Sequence, residues 1–529
     1  MHGIRQLHGP RQTATADSAR DPGGSAAAGA PDGGRRPWTL MVVLSAAQFM
    51  VILDATVVNV ALPSIARSLG LAAGELQWII TAYVLASGGL VLLGGRAADI
   101  AGGRRVFLAG LAVFTAASLA SGLAPAAGVL IAARAAQGLG AALLTPAALS
   151  VITTSYAGAQ RATALGVWGA LGGAGAAAGV LAGGVLTTWL GWRAVFLVNV
   201  PVGLAAGLAG LHLLPRREPR RGPATGPARG PAREPATGPA REPVREPGHA
   251  PASGLRRGPA RGLDLPGAAL AVAGLVTLTY ALAGAPAPAW GSARTLGLLT
   301  LAVVLLAAFA AAERSAPTPL VPPRLWRTRS LAAGVLVMLG ATGILVATFF
   351  LNSLYLQEVQ GASALRTGLA FLPVAVVIGA GAHLAARLLP RAGSRVLIVA
   401  GLVVMGAGAL LLTGVSARSG YLTGFLPGLL VTGAGAGLVL PATAVTALSE
   451  IAADHAGLAS GLMTAAHEIG AALGVAVFSA VAVAAGGGIA AGYRHGFLLA
   501  AAVAGGLAAV AALLVPAVRP APGTHVAVH

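Results

Sequence analysis

The chain contains no cysteine and no lysine. Without cysteine it has no disulfide and no thiolate metal site. Without lysine it cannot spell the Gly-x-x-x-x-Gly-Lys-Ser/Thr loop that cradles nucleotide phosphates, so the energy for any work comes from an ion gradient or from a solute's own gradient. Charge is scarce as well: 10% of the 529 residues are charged and 56% are hydrophobic, whereas soluble domains carry about 25% charged residues. Aromatic residues make up only 5%. Such a composition belongs to an integral membrane protein. The first 36 residues are polar and include Arg5, Arg11, Arg20, Arg35 and Arg36, so no cleavable signal peptide is expected and the first apolar run acts as its own insertion signal.

What the chain does have is arginine, glycine and proline. All 35 basic residues are Arg, and with 76 Gly and 33 Pro this points to a bacterial genome of high GC content. A formal charge of +19 raises the question of nucleic acid, because clustered Arg neutralises phosphates. The arginines instead sit at the ends of apolar runs and in the segment 215–262, which holds eleven Arg and four Glu. That placement suits anionic head groups and topology control, not a duplex-binding face. No Ser-His-Asp arrangement or metal-ligand spacing stands out, so neither an enzyme nor a cofactor or metal is expected.

A membrane-spanning helix needs about 20 apolar residues, and on that measure the chain holds about fourteen spans in an all-α fold. The first is expected over 39–61, the second over 76–95 and the third over 106–124. The layout is a cytoplasmic tail (1–37), a six-helix bundle (38–214), an Arg/Pro-rich disordered linker (215–262), two additional helices (263–315), a cytoplasmic loop (316–330), a second six-helix bundle (331–516) and a cytoplasmic tail (517–529). With both ends inside, Arg96, Arg104, Arg105, Arg161, Arg314, Arg324, Arg327, Arg329, Arg387, Arg391 and Arg395 all fall on the cytoplasmic side, as the positive-inside rule requires. The loop holding Glu450 and Asp454 runs against the pattern.

An internal repeat supports two parallel halves. "GRAADIAGGRRVFLAGL" from Gly95 aligns without gaps on "ARLLPRAGSRVLIVAGL" from Ala386, placing Arg96 over Arg387, Gly102 over Gly393 and Arg104 over Arg395. Transporters built from such halves bind substrate near the midplane and alternate access by rocking one half on the other.

Within the spans a few ionisable residues stand out. Asp54 lies in "VILDATVVNVALP", and a carboxylate at that depth normally faces a cavity or a partner. It is a candidate proton site; the alternative is a structural hydrogen bond to Thr56 or Asn59 near the outer end of the helix. Arg134 is the natural counter-ion, or else binds backbone carbonyls. His467 and Glu468 form a second ionisable pair, and as helix neighbours they do not share a face. The segment "GGRAADIAGGRR" offers a conformational latch from Gly95, Asp99, Gly102, Arg104 and Arg105, or an ordinary cytoplasmic loop. The glycines of the fifth span, Gly175, Gly179, Gly183 and Gly184, are spaced for close helix packing. They lack the preceding strand that a dinucleotide site requires.

Several of these stretches carry a specific resemblance. "LDATVVNVALP" from Leu53, "LQWIITAYVLA" from Leu76, "GRAADIAGGRR" from Gly95, "RAAQGLGAA" from Arg134, "GWRAVFLVNVPVG" from Gly191, "YLQEVQGASALRTGLAFLP" from Tyr355 and "GLASGLMTAAHEIGAALGVAV" from Gly457 stand in order over residues 40–515. The chain resembles the fourteen-span drug:proton antiporter family of the major facilitator superfamily. That resemblance implies proton-driven efflux of hydrophobic, in part cationic compounds, Asp54 in coupling or cation recognition, Arg134 in proton transfer, and a functional monomer. The chain departs from the family pattern at Ala97 and Ile100 in the latch, at Val180 where the antiporter motif usually has Pro, and at the His467–Glu468 pair. Two other readings are a dedicated exporter of an endogenous antibiotic, lipid or siderophore, and a nontransporting sensor or scaffold that works through the linker.

Overall fold

The computed structural model describes residues 36–71, 73–156, 158–214, 264–283, 292–316, 319–322, 325, 327–416, 418–451, 456–484 and 488–517. Most of the N-terminal tail, the Arg/Pro linker, most of the C-terminal tail and Asp454 lie outside them. A chain in hydrocarbon must satisfy its backbone polar groups internally. Accordingly, the described residues are helical almost throughout, with no strand among them. Helices α1 (Arg36–Leu69), α2 (Ala73–Ala101), α3 (Gly103–Gly122), α4 (Ala127–Ser155) and α5 (Gly158–Trp189) come first. The next span, α6, is made of two segments, Trp192–Leu197 and Asn199–Leu213. Then come α7 (Leu265–Ala283), α8 (Ala293–Ser315) and α9 (Arg329–Leu354), the last running into a π turn at Tyr355–Val359. Helices α10 (Ala364–Ala392), α11 (Ser394–Leu412), α12 (Leu426–Leu448, after a π turn at Tyr421–Phe425), α13 (Ala456–Ala484) and α14 (Gly488–Leu514) complete the chain. Among the described residues thirteen spans are long and apolar enough to cross a membrane; the 32-residue α5 is the fourteenth long helix.

Two boundaries differ from the sequence expectation, for physical reasons. Helix α1 does not stop near 61 but continues through Pro63 to Leu69, which puts Asp54 at mid-helix and not near an outer end. Proline removes the N–H that would bond the carbonyl four residues back. The freed acceptor is Asn59 O, and Ser353 Oγ of α9 donates to it at 2.8 Å. Helix α2 likewise runs through Arg96 and Asp99 to Ala101, so the expected loop shrinks to a single residue, Gly102, with φ 93°. A left-handed residue of that kind ends a helix at no steric cost only if it is glycine.

The repeat is visible in the backbone. Gly70 and Gly361 have φ 66° and 65°, and Gly102 and Gly393 have φ 93° and 79°; both pairs are 291 residues apart. Gly138 of α4 packs on Tyr83 and Ser87 of α2, while Gly433 of α12 packs on Val374 and Ile378 of α10, so α4 and α12 correspond at a spacing of 295. In this register the counterpart of Asp54 is Leu345 and that of Arg134 is Leu429. The halves meet along two seams, α2 against α13 and α5 against α10. The inserted α7–α8 pair lies outside the first seam: Gly89 abuts Val272, and Trp78 stacks near Tyr280 with centroids 5.9 Å apart. Helix α8 is the outermost, with 11% of its apolar window buried.

Candidate functional site

Asp54 and Arg134, eighty residues apart in sequence, form a buried ion pair between α1 and α4. It is the one salt bridge among the described residues, and its side chains are 0% and 1% exposed. The carboxylate is over-determined. Asn199 Nδ2 of α6 donates to Oδ1 at 2.7 Å and Gln137 Nε2 of α4 donates to the same oxygen at 3.1 Å, while Arg134 Nη1 donates to Oδ2. Arg134 is held equally firmly. Its Nε donates to Ile79 O at 3.0 Å, its Nη1 also donates to Gln137 Oε1 at 2.9 Å, and its guanidinium lies 4.3 Å from the Tyr83 ring centroid. Gln137 in turn donates to Ser118 Oγ at 2.7 Å and accepts from Ser121 Oγ at 3.2 Å. Low dielectric makes unpaired groups costly, so a buried charge pair survives only when its remaining lone pairs and protons are satisfied. Five helices supply that shell.

Neither structural partner expected from sequence touches Asp54: Thr56 Oγ1 bonds back to Ile52 O and Leu53 O, and Asn59 Nδ2 to Ala55 O and Thr56 O. The counter-ion and carbonyl-binding readings of Arg134 both hold, since one side chain does both. Asn199 and Gln137 were not singled out, although each is a polar residue inside an apolar run, which is the signal that marks such a partner. Chemically, a network of this kind can release Asp54 to a proton without stranding the arginine, because Ile79 O, Gln137 Oε1 and the Tyr83 face remain for the guanidinium.

His467 and Glu468 point in different directions from α13, as helix geometry demands. His467 Nδ1 shares a 3.1 Å hydrogen bond with Thr342 Oγ1 of α9. Glu468 faces α2, where a Cβ on Gly88 would lie 2.6 Å from its own Cβ. Its carboxyl is partly accessible and takes no hydrogen bond or ion pair from any described residue. A further buried carboxylate escaped the sequence reading: Glu313 of α8 accepts from the backbone N–H groups of Leu320 at 3.2 Å and Val321 at 3.0 Å, tying down the segment after the inserted helices.

The latch residues are dispersed. Gly102 makes the left-handed turn, and Arg104 Nη2 donates to Leu211 O at the end of α6 at 2.8 Å. Asp99 and Arg105 are exposed, and Asp99 makes no ion pair among the described residues. Close approach between α2 and α4 belongs to Gly94, against Ala142, and not to Gly95, which has ordinary room beside Pro146. The antiporter-motif glycines do pack. Gly175, Gly179 and Gly183 meet Ile52, Leu53 with Thr56, and Val57 on α1, and Gly184 meets Ala364 and Leu365 on α10. A Cβ at Gly179 would lie 2.9 Å from Leu53 O, next to Asp54. Gly179→Leu should therefore lower the melting midpoint of the purified protein, at a cost of about 1–3 kcal/mol for forcing a packed interface apart.

A family model described as "Major Facilitator Superfamily" matches residues 44–475. The chain is 41% identical to the puromycin resistance protein of Streptomyces alboniger over 86% of its length and 84% of that protein's. It is 38% identical to the cephamycin export protein of Amycolatopsis lactamdurans, covering 84% of each chain, and 30% identical to the methylenomycin A resistance protein of Bacillus subtilis, covering 83% and 86%. Among solved structures, an auto-inhibited peptide transporter of the POT family superposes with a TM-score of 0.64 at 15% identity, over 93% of this chain and all of that one. A bacterial homologue of the human lysosomal transporter Spinster gives 0.59 at 16% identity, over 91% and 96%.

Proposed function

Because the chain belongs to the Major Facilitator Superfamily, we propose that it exports antibiotics or other hydrophobic, in part cationic, compounds across the cytoplasmic membrane by alternating access, driven by protons moving inward. The observation that carries the coupling is the ion pair of Asp54 and Arg134 at mid-helix, satisfied from five helices of one half. A charge pair so costly to bury is retained at that depth where its release does work. In this reading Asp54 takes a proton when the network loosens, and Arg134 keeps its other acceptors. Glu468, open and unpaired at the α2–α13 seam, is the second carboxylate available to a proton or a cationic substrate.

The Arg96, Arg104, Arg105, Arg387, Arg391 and Arg395 cluster at the Gly102/Gly393 end supports a cytoplasmic position for that end and for both chain termini. The relatives named for puromycin, cephamycin and methylenomycin support an antibiotic-like substrate.

Everted vesicles acidified by respiration and followed with a pH-sensitive dye test this. With wild-type protein, adding a transported compound should release protons. A panel of puromycin, cephamycin C, and cationic and neutral hydrophobic dyes separates two substrate ranges: response to one scaffold alone means a dedicated exporter, and response across scaffolds means multidrug efflux. Silence across the panel would overturn proton-coupled export.

A further inference from the structure

Among the described residues, the hydrogen bonds that tie one half to the other lie at the Gly70/Gly361 end: Ser479 Oγ of α13 donates to Gln77 Oε1 of α2, and two others use backbone groups that their own helices leave unpaired. Pro63 has no N–H, so Asn59 O in α1 lacks its intrahelical donor. Ser353 Oγ of α9 takes that place at 2.8 Å. One residue on, Gln357 Nε2 donates to Val60 O at 3.0 Å and to Ser353 Oγ at 3.2 Å, so the two α9 side chains act as one clamp. On the other seam, Leu365 N–H belongs to the first turn of α10, where helical N–H groups have no partner. Thr188 Oγ1, from the end of α5, accepts it at 3.2 Å.

The α9 side of the clamp is rigid. The π turn at Tyr355–Val359 follows Ser353 directly. Tyr355 stacks on Tyr493 with centroids 4.4 Å apart and on Phe425 at 5.4 Å, and Tyr493 Oη donates to Asn352 Oδ1 at 2.7 Å. Ser353, Asn352 and Gln357 are all buried. The α1 side is backbone, made available by one proline. In the repeat register the position of Pro63 is held by Leu354, so donor and acceptor are not exchanged between the halves.

We propose that Pro63, Ser353 and Gln357 form a gate at the Gly70/Gly361 end, in which a proline-freed carbonyl of one half is the latch point for side chains of the other. The gate rests on the alternating-access reading above and gives it a specific closed contact. Pro63 acts as a positioning residue: it touches no substrate, but it keeps Asn59 O free for Ser353. Opening that end breaks the clamp bonds to Asn59 O and Val60 O together with the Leu365–Thr188 and Ser479–Gln77 bonds, and Asn59 O then turns to water. An unbroken helix would hide the same carbonyl in its own ladder.

The test is a distance. Because the chain has no cysteine, Ser68→Cys and Arg366→Cys, both at exposed positions of opposite halves, take nitroxide labels without background. Pulsed electron resonance in lipid nanodiscs then reads the separation of the halves at the gate. In Ser353→Ala/Gln357→Ala the ratio of long to short separations should rise roughly fivefold or more, as expected from losing two ordinary hydrogen bonds. Pro63→Ala should shift it in the same direction by a smaller factor, since the returned N–H competes for Asn59 O. Distributions unchanged in both variants would overturn the gate. So would a fall in melting temperature with no change in distance, because that marks a merely structural contact. Labels are read without substrate, so a failed gate and a silent vesicle assay are independent results.

Discussion

Asp54→Asn should abolish compound-driven proton release in everted vesicles while leaving the protein in the membrane at comparable abundance. The amide is nearly isosteric and its oxygen still accepts from Asn199 and Gln137; its NH2 then faces Arg134 Nη1, donor to donor, and the guanidinium keeps Ile79 O, Gln137 Oε1 and the Tyr83 face. The amide cannot take up a proton at neutral pH, and a transporter that couples through Asp54 then has no site to load. The expected loss is about 100-fold or more, on the scale by which a positioned proton-transfer group contributes. If Asp54→Asn and wild type release protons equally, coupling does not pass through Asp54, and Glu468→Gln becomes the deciding variant. The open position of Glu468 against Gly88 makes it the alternative that geometry ranks next.

Arg134→Leu should be the most damaging single change to folding. It strands a carboxylate that is 0% exposed, and breaking a buried pair by removing one partner costs about 3–5 kcal/mol. Asp54→Leu should cost less, because Ile79 O, Gln137 Oε1 and the Tyr83 face still hold the guanidinium. The double variant Asp54→Leu/Arg134→Leu should recover part of that loss, because replacing a whole buried pair by apolar residues is often neutral or stabilising. The second half already carries this solution, with Leu345 and Leu429 at the matching places. Recovery will be incomplete, since Asn199 and Gln137 lose their acceptor. Melting of the four proteins in the cycle measures the coupling energy; additive losses would show that the two charges do not depend on one another. Transport should stay absent in all three variants, which separates what the pair does for stability from what it does for coupling.

Much of this was legible in the residues. Span number and the parallel repeat follow from hydropathy and from a gapless alignment, because lipid leaves a chain few alternatives to helices. Asp54 and Arg134 stood out because ionisable groups are rare in hydrocarbon. Their pairing did not: sequence gives depth along a helix and says nothing of which faces meet across eighty residues. Asn199 and Gln137 were hidden inside recognised motifs as ordinary polar residues, although both touch Asp54. Helix ends were misread where local rules yielded to tertiary ones. Pro63 looked like a terminus, yet α1 passes through it because another helix satisfies the freed carbonyl. Arg96 and Asp99 looked like loop residues, yet a single left-handed glycine makes the whole turn. The latch shows the same limit, since its charges are adjacent in sequence and disperse in space.

The matched left-handed glycines, Gly70 with Gly361 and Gly102 with Gly393, also bear on ancestry. Two backbone solutions kept in register at the same spacing are what remains when a half-length gene is copied and joined to itself. A turn that only glycine can make has no gradual substitute, so it outlasts the side chains around it. The charge pair follows the opposite logic. Losing the arginine alone strands the carboxylate in hydrocarbon, so the step between Asp54 with Arg134 and Leu345 with Leu429 does not pass comfortably through that single mutant. The apolar half carries neither charge at these places, which leaves nothing to strand. Division of labour between the twins is thus a consequence of electrostatics acting on inheritance.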